Sequence, residues 1–143
     1  ARRDIRSMKD GDLAPVAGLY IAAYRASWSI PSARVYIEKF YRFEPASCMV
    51  ALEDGRIGGA ILAYTFEREF GVVLYIQELM VHPDYQSRGI GKTLVGRVRE
   101  GLSKTPTRVK VTPLVKADTT VLNFYNSLGF EKDKAVSFSL DIE

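Results

Sequence analysis

Hydrophobic residues in the first third of the chain recur at the spacing of amphipathic helices. The first pattern follows Asp12, which is the expected N-cap, with Pro15 in the first turn. Its apolar positions are Val16, Leu19, Tyr20, Ala23 and Tyr24. We expect Ser32 to cap a second helix. The apolar positions of that helix are Val35, Tyr36, Phe40 and Phe43. A short strand at 5–7 precedes both helices.

The middle of the chain changes to the period of two that is typical of strands. Strands are predicted at 47–52, 57–66 and 72–82, and an Asp-Gly turn joins the first two. The third strand has apolar residues on both faces, as a central strand covered on both sides does. Strict alternation along it places Gln77 and Glu78 on opposite faces.

The last third of the chain alternates helices with strands. A helix follows the glycines at 89–91, and a strand is predicted at 108–112. Asp118 or Thr119 is expected to cap a last helix that ends at Gly129, where a left-handed residue belongs. Alternation predicts a final strand at 137–142. Three hairpin-linked strands followed by crossover helices predict a mixed α+β fold.

Composition limits the class of protein further. The chain has 143 residues, which fits one domain, 1–143. Cys48 is the single cysteine, which favours a reducing, cytoplasmic compartment, and we interpret it as a core residue. No apolar run approaches the ~20 residues of a membrane span, and we expect no signal peptide. A net charge of +3, evenly spread, predicts neither a nucleic acid nor a membrane partner.

The segment HPDYQSRGIGKTL, residues 82–94, carries the most specific motif. A P-loop would require a glycine where Gln86 stands. A dinucleotide-binding loop would require a glycine where Leu94 stands. The remaining pattern is Gln86-x-x-Gly89-x-Gly91 between a buried strand and a helix. A helix that begins near Gly89 has free amides and a positive dipole end, so the loop is suited to a pyrophosphate.

This motif resembles that of the GCN5-related N-acetyltransferase (GNAT) superfamily. The resemblance also covers 79–83 at the strand end and 122–130, which ends in Tyr-x-x-x-Gly-Phe. It extends over nearly the whole chain. It implies a single GNAT-type domain with a central, mostly antiparallel sheet of about six to seven strands. The sheet would be splayed at the fourth strand and flanked by about four helices.

The resemblance also implies acetyl-CoA as the co-substrate and no metal. The amides of 88–93 would hold the pyrophosphate, and the Leu79 or Met80 amide would lie near the thioester oxygen. Arg97 is a further candidate for the ribose phosphate. Many members have Asn where this chain has Asp118, so Asn123 is considered as a substitute. The residues expected to bind the coenzyme are Leu79, Met80, Val81, Gln86, Ser87, Arg88, Gly89, Ile90, Gly91, Lys92, Thr93 and Asn123.

Two residues are the candidates for proton transfer. Tyr125 matches the family tyrosine and is the expected general acid, whereas the alternative is a core aromatic. Glu78, among apolar neighbours on the central strand, is the expected base. The alternatives for Glu78 are a structural ion pair or a solvent-facing position. His82, which precedes Pro83, is interpreted as a surface residue.

The sequence therefore predicts an N-acetyltransferase that passes acetyl from acetyl-CoA to a primary amine by direct attack in a ternary complex. A small amine is slightly favoured over a peptide or protein amine. The alternative is a non-catalytic acyl-CoA-binding module with the GNAT fold. The resemblance places the acceptor between the first two helices and the hairpin turns, where aromatic residues with nearby carboxylates would suit an amine cation. The candidates are Tyr24, Trp28, Tyr36, Phe40, Tyr64, Phe66, Glu67 and Glu69, and the alternative is a plain core with solvated turns. Many similar proteins form homodimers, and that alternative stays open.

Overall fold

The computed structural model describes residues 2–102, 107–114 and 119–142. The chain divides into two units, Ala1–Thr112 and Pro113–Glu143. In its described part, the first unit contains three α-helices and five strands. These are β1 Arg3–Ser7, α1 Leu13–Tyr24, α2 Ile30–Phe43, β2 Cys48–Glu53, β3 Arg56–Arg68, β4 Gly71–Val81, α3 Ile90–Glu100 and β5 Thr107–Val111.

The five strands form one sheet in the order β1-β2-β3-β4-β5. The first four strands are antiparallel to their neighbours, and β5 runs parallel to β4. The prediction of a mixed α+β fold with a central, mostly antiparallel sheet is confirmed. The predicted number of about six to seven strands is wrong, since the described residues form five.

Helices cover both faces of the sheet, as the apolar pattern of β4 predicted. On one face, α1 and α2 pack against the strands through a cluster of fully buried side chains. The largest members of this cluster are Leu13, Val16, Ile37, Val50, Leu62 and Met80. On the other face, α3 lies so close to β3 that a Cβ atom on Gly59 would lie 2.5 Å from Ile90 and 3.3 Å from Leu94.

The N-cap predicted for α1 is confirmed, whereas α2 begins at a different cap. Asp12 is the N-cap of α1, but its side chain makes no capping bond there. The Asp12 carboxylate instead accepts two hydrogen bonds from the Arg6 guanidinium, at 2.7 and 3.0 Å. The prediction of Ser32 as the cap of α2 is wrong, because Ser29 has the extended backbone of a cap and its hydroxyl accepts from the Ser32 amide at 3.2 Å.

The second unit contains α4, Thr120–Ser127, in its described part. Thr119 is its N-cap, and Asp118 lies outside the described residues. Gly129 has φ of +90° beyond the helix end, as predicted. The strand predicted at 137–142 is wrong, since these residues are exposed and pair with no strand in the described chain. Alternation gives a segment two faces, but a strand also needs a neighbour for its backbone groups.

Candidate active site

An irregularity in β4 sets the geometry of the site. Leu62 of β3 lies opposite Glu78, whereas the next residue, Ala63, lies opposite Ile76, so Gln77 has no partner on β3. One extra residue on a strand interrupts the alternation of its side chains. Gln77 and Glu78 consequently both reach the Tyr36 hydroxyl, at 3.0 and 2.6 Å. The prediction that these two side chains lie on opposite faces is wrong.

The second half of β4 lacks a strand neighbour on one side. β5 pairs with β4 only from Val72 to Ile76. Among the described residues, no strand continues this pairing along 77–81. The predicted splay at the fourth strand lies at this point.

The free side of β4 exposes particular backbone groups. The His82 amide donates to the Gly58 carbonyl on β3 at 2.8 Å. Because backbone groups alternate in direction along a strand, the Met80 amide also points to β3. The amides of Leu79 and Val81 then point away from β3, toward the side that β5 leaves open. Of the two amides expected near a thioester oxygen, Leu79 has the suitable direction.

Two tyrosines hold the carboxylate of Glu78. The Tyr24 hydroxyl donates to Oε1 at 2.8 Å, and the Tyr36 hydroxyl donates to Oε2 at 2.6 Å. Burial, followed by the hydrogen bond to the Glu78 carboxylate, raises the pKa of Tyr36 far above its ordinary value. Tyr36 therefore remains a hydroxyl donor at any physiological pH. The structural ion pair considered for Glu78 is absent, since no ion pair between described residues includes it.

An aromatic cluster surrounds these hydroxyls. Tyr20 of α1 is at its centre, with ring centroids 4.8 Å from Tyr24, 5.8 Å from Trp28 and 5.7 Å from Tyr36. Burial, together with the charge of Glu78, raises the pKa of Tyr20. Tyr24 and Trp28 are 41% and 43% exposed, so solvent reaches this cluster from outside. The name acceptor cluster is used below for the set Tyr20, Tyr24, Trp28, Tyr36 and Glu78.

The glycine loop adopts the conformation that the motif predicted. Gly89 is the N-cap of α3 with φ of +79°, a left-handed value that favours glycine. No side chain caps this helix. The Thr93 amide and hydroxyl both bond to the Gly89 carbonyl, at 3.0 and 2.8 Å. The amides that precede Thr93 in this first turn have no carbonyl of the helix to bond to, so they point out of its N-terminal end.

Contacts outside the motif fix the position of the loop. Arg3 of β1 donates through Nη2 to the Arg88 carbonyl at 2.9 Å, and the same nitrogen lies 2.6 Å from buried Glu53. The Arg88 guanidinium lies over the Tyr85 ring, 5.4 Å from its centroid. Sequence reasoning missed Arg3 and Glu53, because nothing along the chain links them to residue 88.

Paired glycines in β3 allow this loop to approach the sheet. A Cβ atom on Gly59 would lie 2.5 Å from Cγ2 of Ile90 in α3. A Cβ atom on Gly58 would lie 2.8 Å from the Tyr85 ring. Both distances are shorter than any normal contact. The Gly-Gly pair, visible in the sequence, was the signal for this close approach.

The other predicted contributors are near solvent. Gln86, Ser87 and Lys92 are exposed, and Ser87 has φ of +64°. Arg97, suggested for the ribose phosphate, lies 3.7 Å from Glu100 on its own helix. Its role toward a coenzyme therefore stays a prediction.

Tyr125 and Asn123 belong to the second unit. The Tyr125 ring is half-buried and packs edge-on against Phe124 and Phe130, at 5.0 and 5.3 Å between centroids. Asn123 is exposed, and its amide nitrogen lies 3.4 Å from the Thr119 hydroxyl. The roles predicted for both residues stay predictions.

Two residues have local structural roles. Cys48 is fully buried in the core, as predicted, and burial raises the pKa of its thiol to about 11. His82 accepts a hydrogen bond from the Asp84 amide through Nδ1, which fixes the turn after β4. Within the described ranges, no cluster of three potential metal ligands occurs. No helix in those ranges has the length and apolar character to cross a membrane.

Known structures share this fold. The aminoglycoside N-acetyltransferase AAC(6')-Iy, in complex with a CoA-containing bisubstrate analogue, superposes with a TM-score of 0.75 at 21% identity, covering 99% of both chains. Naa50 of Arabidopsis thaliana, in complex with the bisubstrate analogue CoA-Ac-MVNAL, gives 0.76 at 20% identity. That match covers 100% of this chain and 93% of the Naa50 chain. At these identities, the likeness concerns the fold alone.

Sequence comparison gives the family. An uncharacterized N-acetyltransferase of Methanocaldococcus jannaschii is 26% identical over 92% of this chain, which spans only 62% of that relative's length. An acetyltransferase of Sodalis glossinidius is 29% identical over a match that covers 76% of this chain and 72% of that relative's length. A family model described as an acetyltransferase (GNAT) domain matches residues 44–132. Because this match covers more than half of the sequence, the chain belongs to the GNAT acetyltransferase family.

Proposed function

We propose that this protein transfers acetyl from acetyl-CoA directly to a primary amine in a ternary complex. The observation that carries the proposal is the position of Glu78. Its carboxylate lies where β4 loses its β5 neighbour, one residue before the outward-pointing amide of Leu79. A proton acceptor and an oxyanion donor are thereby adjacent along one strand.

On the donor side, the pantetheine arm would pair with the open edge of β4. Leu79 and Val81 offer outward-pointing backbone groups to an extended ligand, as sheet edges do for peptides. Met80 contributes packing, since its side chain is buried in the core and its amide points to β3. The pyrophosphate would bind the amides of 88–92, because the Thr93 amide, predicted to take part, already donates to the Gly89 carbonyl. The CoA-containing analogues in the AAC(6')-Iy and Naa50 structures support this choice of co-substrate.

On the acceptor side, Glu78 would remove a proton from the amine. A lysine-like amine has a pKa near 10.4, so only roughly 1 in 2500 molecules is neutral at pH 7. The neutral nitrogen then attacks the thioester carbonyl, and the Leu79 amide stabilises the oxyanion. The attached nitrogen loses its second proton to solvent as the C–S bond breaks and the amide forms, and the coenzyme thiolate takes a proton. We propose Tyr125 as the donor of that proton, on the strength of its Tyr-x-x-x-Gly-Phe motif.

Direct transfer is supported by the state of Cys48. An acyl-enzyme on cysteine requires an accessible thiolate. Cys48 is the single cysteine, it is fully buried, and the pKa of its thiol is raised to about 11. This residue is therefore unsuited to carry an acetyl group.

Thiol release tests the proposal. Acetyl-CoA and a panel of amines, from alkylamines to short peptides, would be incubated with the protein, and free coenzyme thiol would be measured. We expect release with at least one amine, and a large loss in Glu78→Gln. Glu131→Gln, at an exposed position outside the motifs and the candidate site, is the matched control and should retain activity. Coenzyme binding without thiol release for any amine would instead favour the acyl-CoA-binding module.

Two broader predictions accompany this function. We propose that 1–143 is a single GNAT domain, since the family match at 44–132 includes parts of both units. The cytoplasmic location rests on the lone Cys48 and stays a prediction.

A further inference from the structure

The acceptor cluster contains a negative charge without a positive partner. Both oxygens of Glu78 accept hydrogen bonds, but the two donors are the neutral hydroxyls of Tyr24 and Tyr36. No ion pair within the described ranges involves Glu78. Hydroxyl donors fix the orientation of a carboxylate and leave its charge in place. The cluster therefore has an unmet preference for a cation.

The surroundings of that charge are aromatic. Tyr20 contacts the other three rings of the cluster, and Trp28 lies 5.9 Å from Tyr36. The electron-rich faces of such rings attract organic cations, and tryptophan does so most strongly. The partial exposure of Tyr24 and Trp28 provides access from solvent.

This combination distinguishes between kinds of acceptor. An alkylammonium group presents positive charge and hydrocarbon together, which matches a carboxylate bordered by rings. An amine with a neighbouring carboxylate would bring a second negative charge close to Glu78, and juxtaposed like charges repel strongly. Among the described residues, no lysine or arginine forms an ion pair with Glu78 that would offset this repulsion.

We propose that Tyr20, Tyr24, Trp28, Tyr36 and Glu78 bind the alkylammonium group of the acceptor and discriminate against amines that carry an adjacent carboxylate. The binding of a cation stands independently, whereas the statement about acceptors rests on the proposed acetyl transfer. In this scheme Trp28 is a specificity-determining residue that makes no hydrogen bond to Glu78.

Tryptophan fluorescence tests the cation site without any acetyl transfer. Trp28 is the only tryptophan of the chain, so its emission reports on the cluster directly. The probe is choline, a quaternary ammonium that cannot be N-acetylated, and the control ligand is its neutral isostere 3,3-dimethyl-1-butanol. We expect a saturable change with choline, with at least tenfold weaker binding of the neutral alcohol.

Variants make this measurement specific. Glu78→Gln should reduce the preference for choline over the alcohol at least tenfold, whereas Glu131→Gln, at an exposed position, should leave it unchanged. Tyr36→Phe, which keeps the ring, provides a milder perturbation in case Glu78→Gln unfolds, and it should weaken choline binding severalfold. Equal responses to choline and the alcohol, or no saturable response, would overturn the cation site.

Kinetics test the selectivity. Isopropylamine and alanine form a matched pair, since alanine replaces one methyl group with a carboxylate. We expect kcat/KM to favour isopropylamine over alanine at least tenfold. Trp28→Leu should raise the KM for isopropylamine about tenfold with little change in kcat. Preference for alanine would overturn the selectivity. Choline binding without any transfer would contradict the proposed function alone, and transfer without choline binding would contradict this inference alone.

Discussion

Two proposed sites differ in how their residues are brought together: the glycine loop, called the donor loop from here on, and the acceptor cluster. The donor loop is one continuous stretch, 82–94, and its proposed binding of the coenzyme pyrophosphate depends mainly on backbone amides. The acceptor cluster combines residues of α1, α2, β4 and the connection between the two helices, and Tyr24 and Tyr36 precede Glu78 by 54 and 42 positions. The comparison shows why one partner of a reaction is easier to infer than the other. Anion binding by a helix start is a local property, whereas cation binding by side chains depends on packing.

The largest expected effect is on the donor side. Gly89→Glu should weaken acetyl-CoA binding by about 10³-fold or more, because it places a carboxylate among the phosphate-binding amides and strains a backbone with φ of +79°. Isothermal titration would measure the affinity. Gly89→Asn, which tolerates this backbone without adding charge, should bind far more tightly than Gly89→Glu. Normal affinity of Gly89→Glu would mean that the coenzyme binds elsewhere.

The matching change on the acceptor side should separate chemistry from coenzyme binding. Glu78→Gln should lower kcat about 10²- to 10⁴-fold, because the amide cannot take the proton of the amine. The affinity for acetyl-CoA should remain, since no coenzyme-binding group is removed. Titration and thiol release on the same preparation would compare the two quantities. Unchanged turnover would exclude Glu78 as the base.

A smaller loss is expected from the predicted acid. Tyr125→Phe should lower turnover about 10- to 10³-fold with little change in coenzyme affinity, because the ring remains and only the proton donor is lost. Phe124→Leu on the same helix is a useful comparison, since it alters packing and leaves the hydroxyl. Equal effects of both variants on turnover would favour the core-aromatic interpretation of Tyr125.

Stability should reveal how tightly the donor loop is placed against the sheet. Gly59→Ala should destabilise the fold by about 1–3 kcal/mol, because its Cβ would lie 2.5 Å from Ile90. Gly96→Ala in the middle of α3, where a Cβ meets nothing within 4 Å, should be neutral or stabilising by up to about 1 kcal/mol. Urea unfolding measures both. Equal midpoints would contradict the close packing of α3 on β3.

The smallest effect concerns the entry to α1, which carries two members of the acceptor cluster. The hydrogen bond from Arg6 lowers the pKa of Asp12, so ionised Asp12 stabilises the fold above its unfolded pKa of about 3.9. This contribution is lost as the pH falls through the lower pKa that Asp12 has in the folded protein. Asp12→Asn should therefore cost about 1–3 kcal/mol at pH 7 and less near pH 3. Asp10→Asn, which removes an exposed carboxylate 3.7 Å from Arg42, should cost less than about 1 kcal/mol at pH 7.

Much of the fold followed from the sequence because hydrophobic period is a strong local signal. The helices that carry Leu19 and Leu94 were predicted correctly, and the last helix, which ends at Ser127, is followed by a left-handed Gly129 as expected. Errors arose where a neighbour decides the outcome. Residues 137–142 have the alternation of a strand without a partner strand, and the cap of α2 is Ser29, since its backbone is extended there.

The sequence by itself was sufficient to predict the donor side of this protein. Gln86, Gly89 and Gly91 predict a loop for a pyrophosphate because the necessary amides and left-handed backbone are encoded within a few residues. Only the tertiary structure decided the acceptor side. The extra residue in β4 turns Gln77 and Glu78 toward the same helices, and packing of α1 and α2 brings Tyr24 and Tyr36 to the carboxylate. Strand register and helix packing depend on contacts between distant segments, so no local pattern in the sequence specifies them.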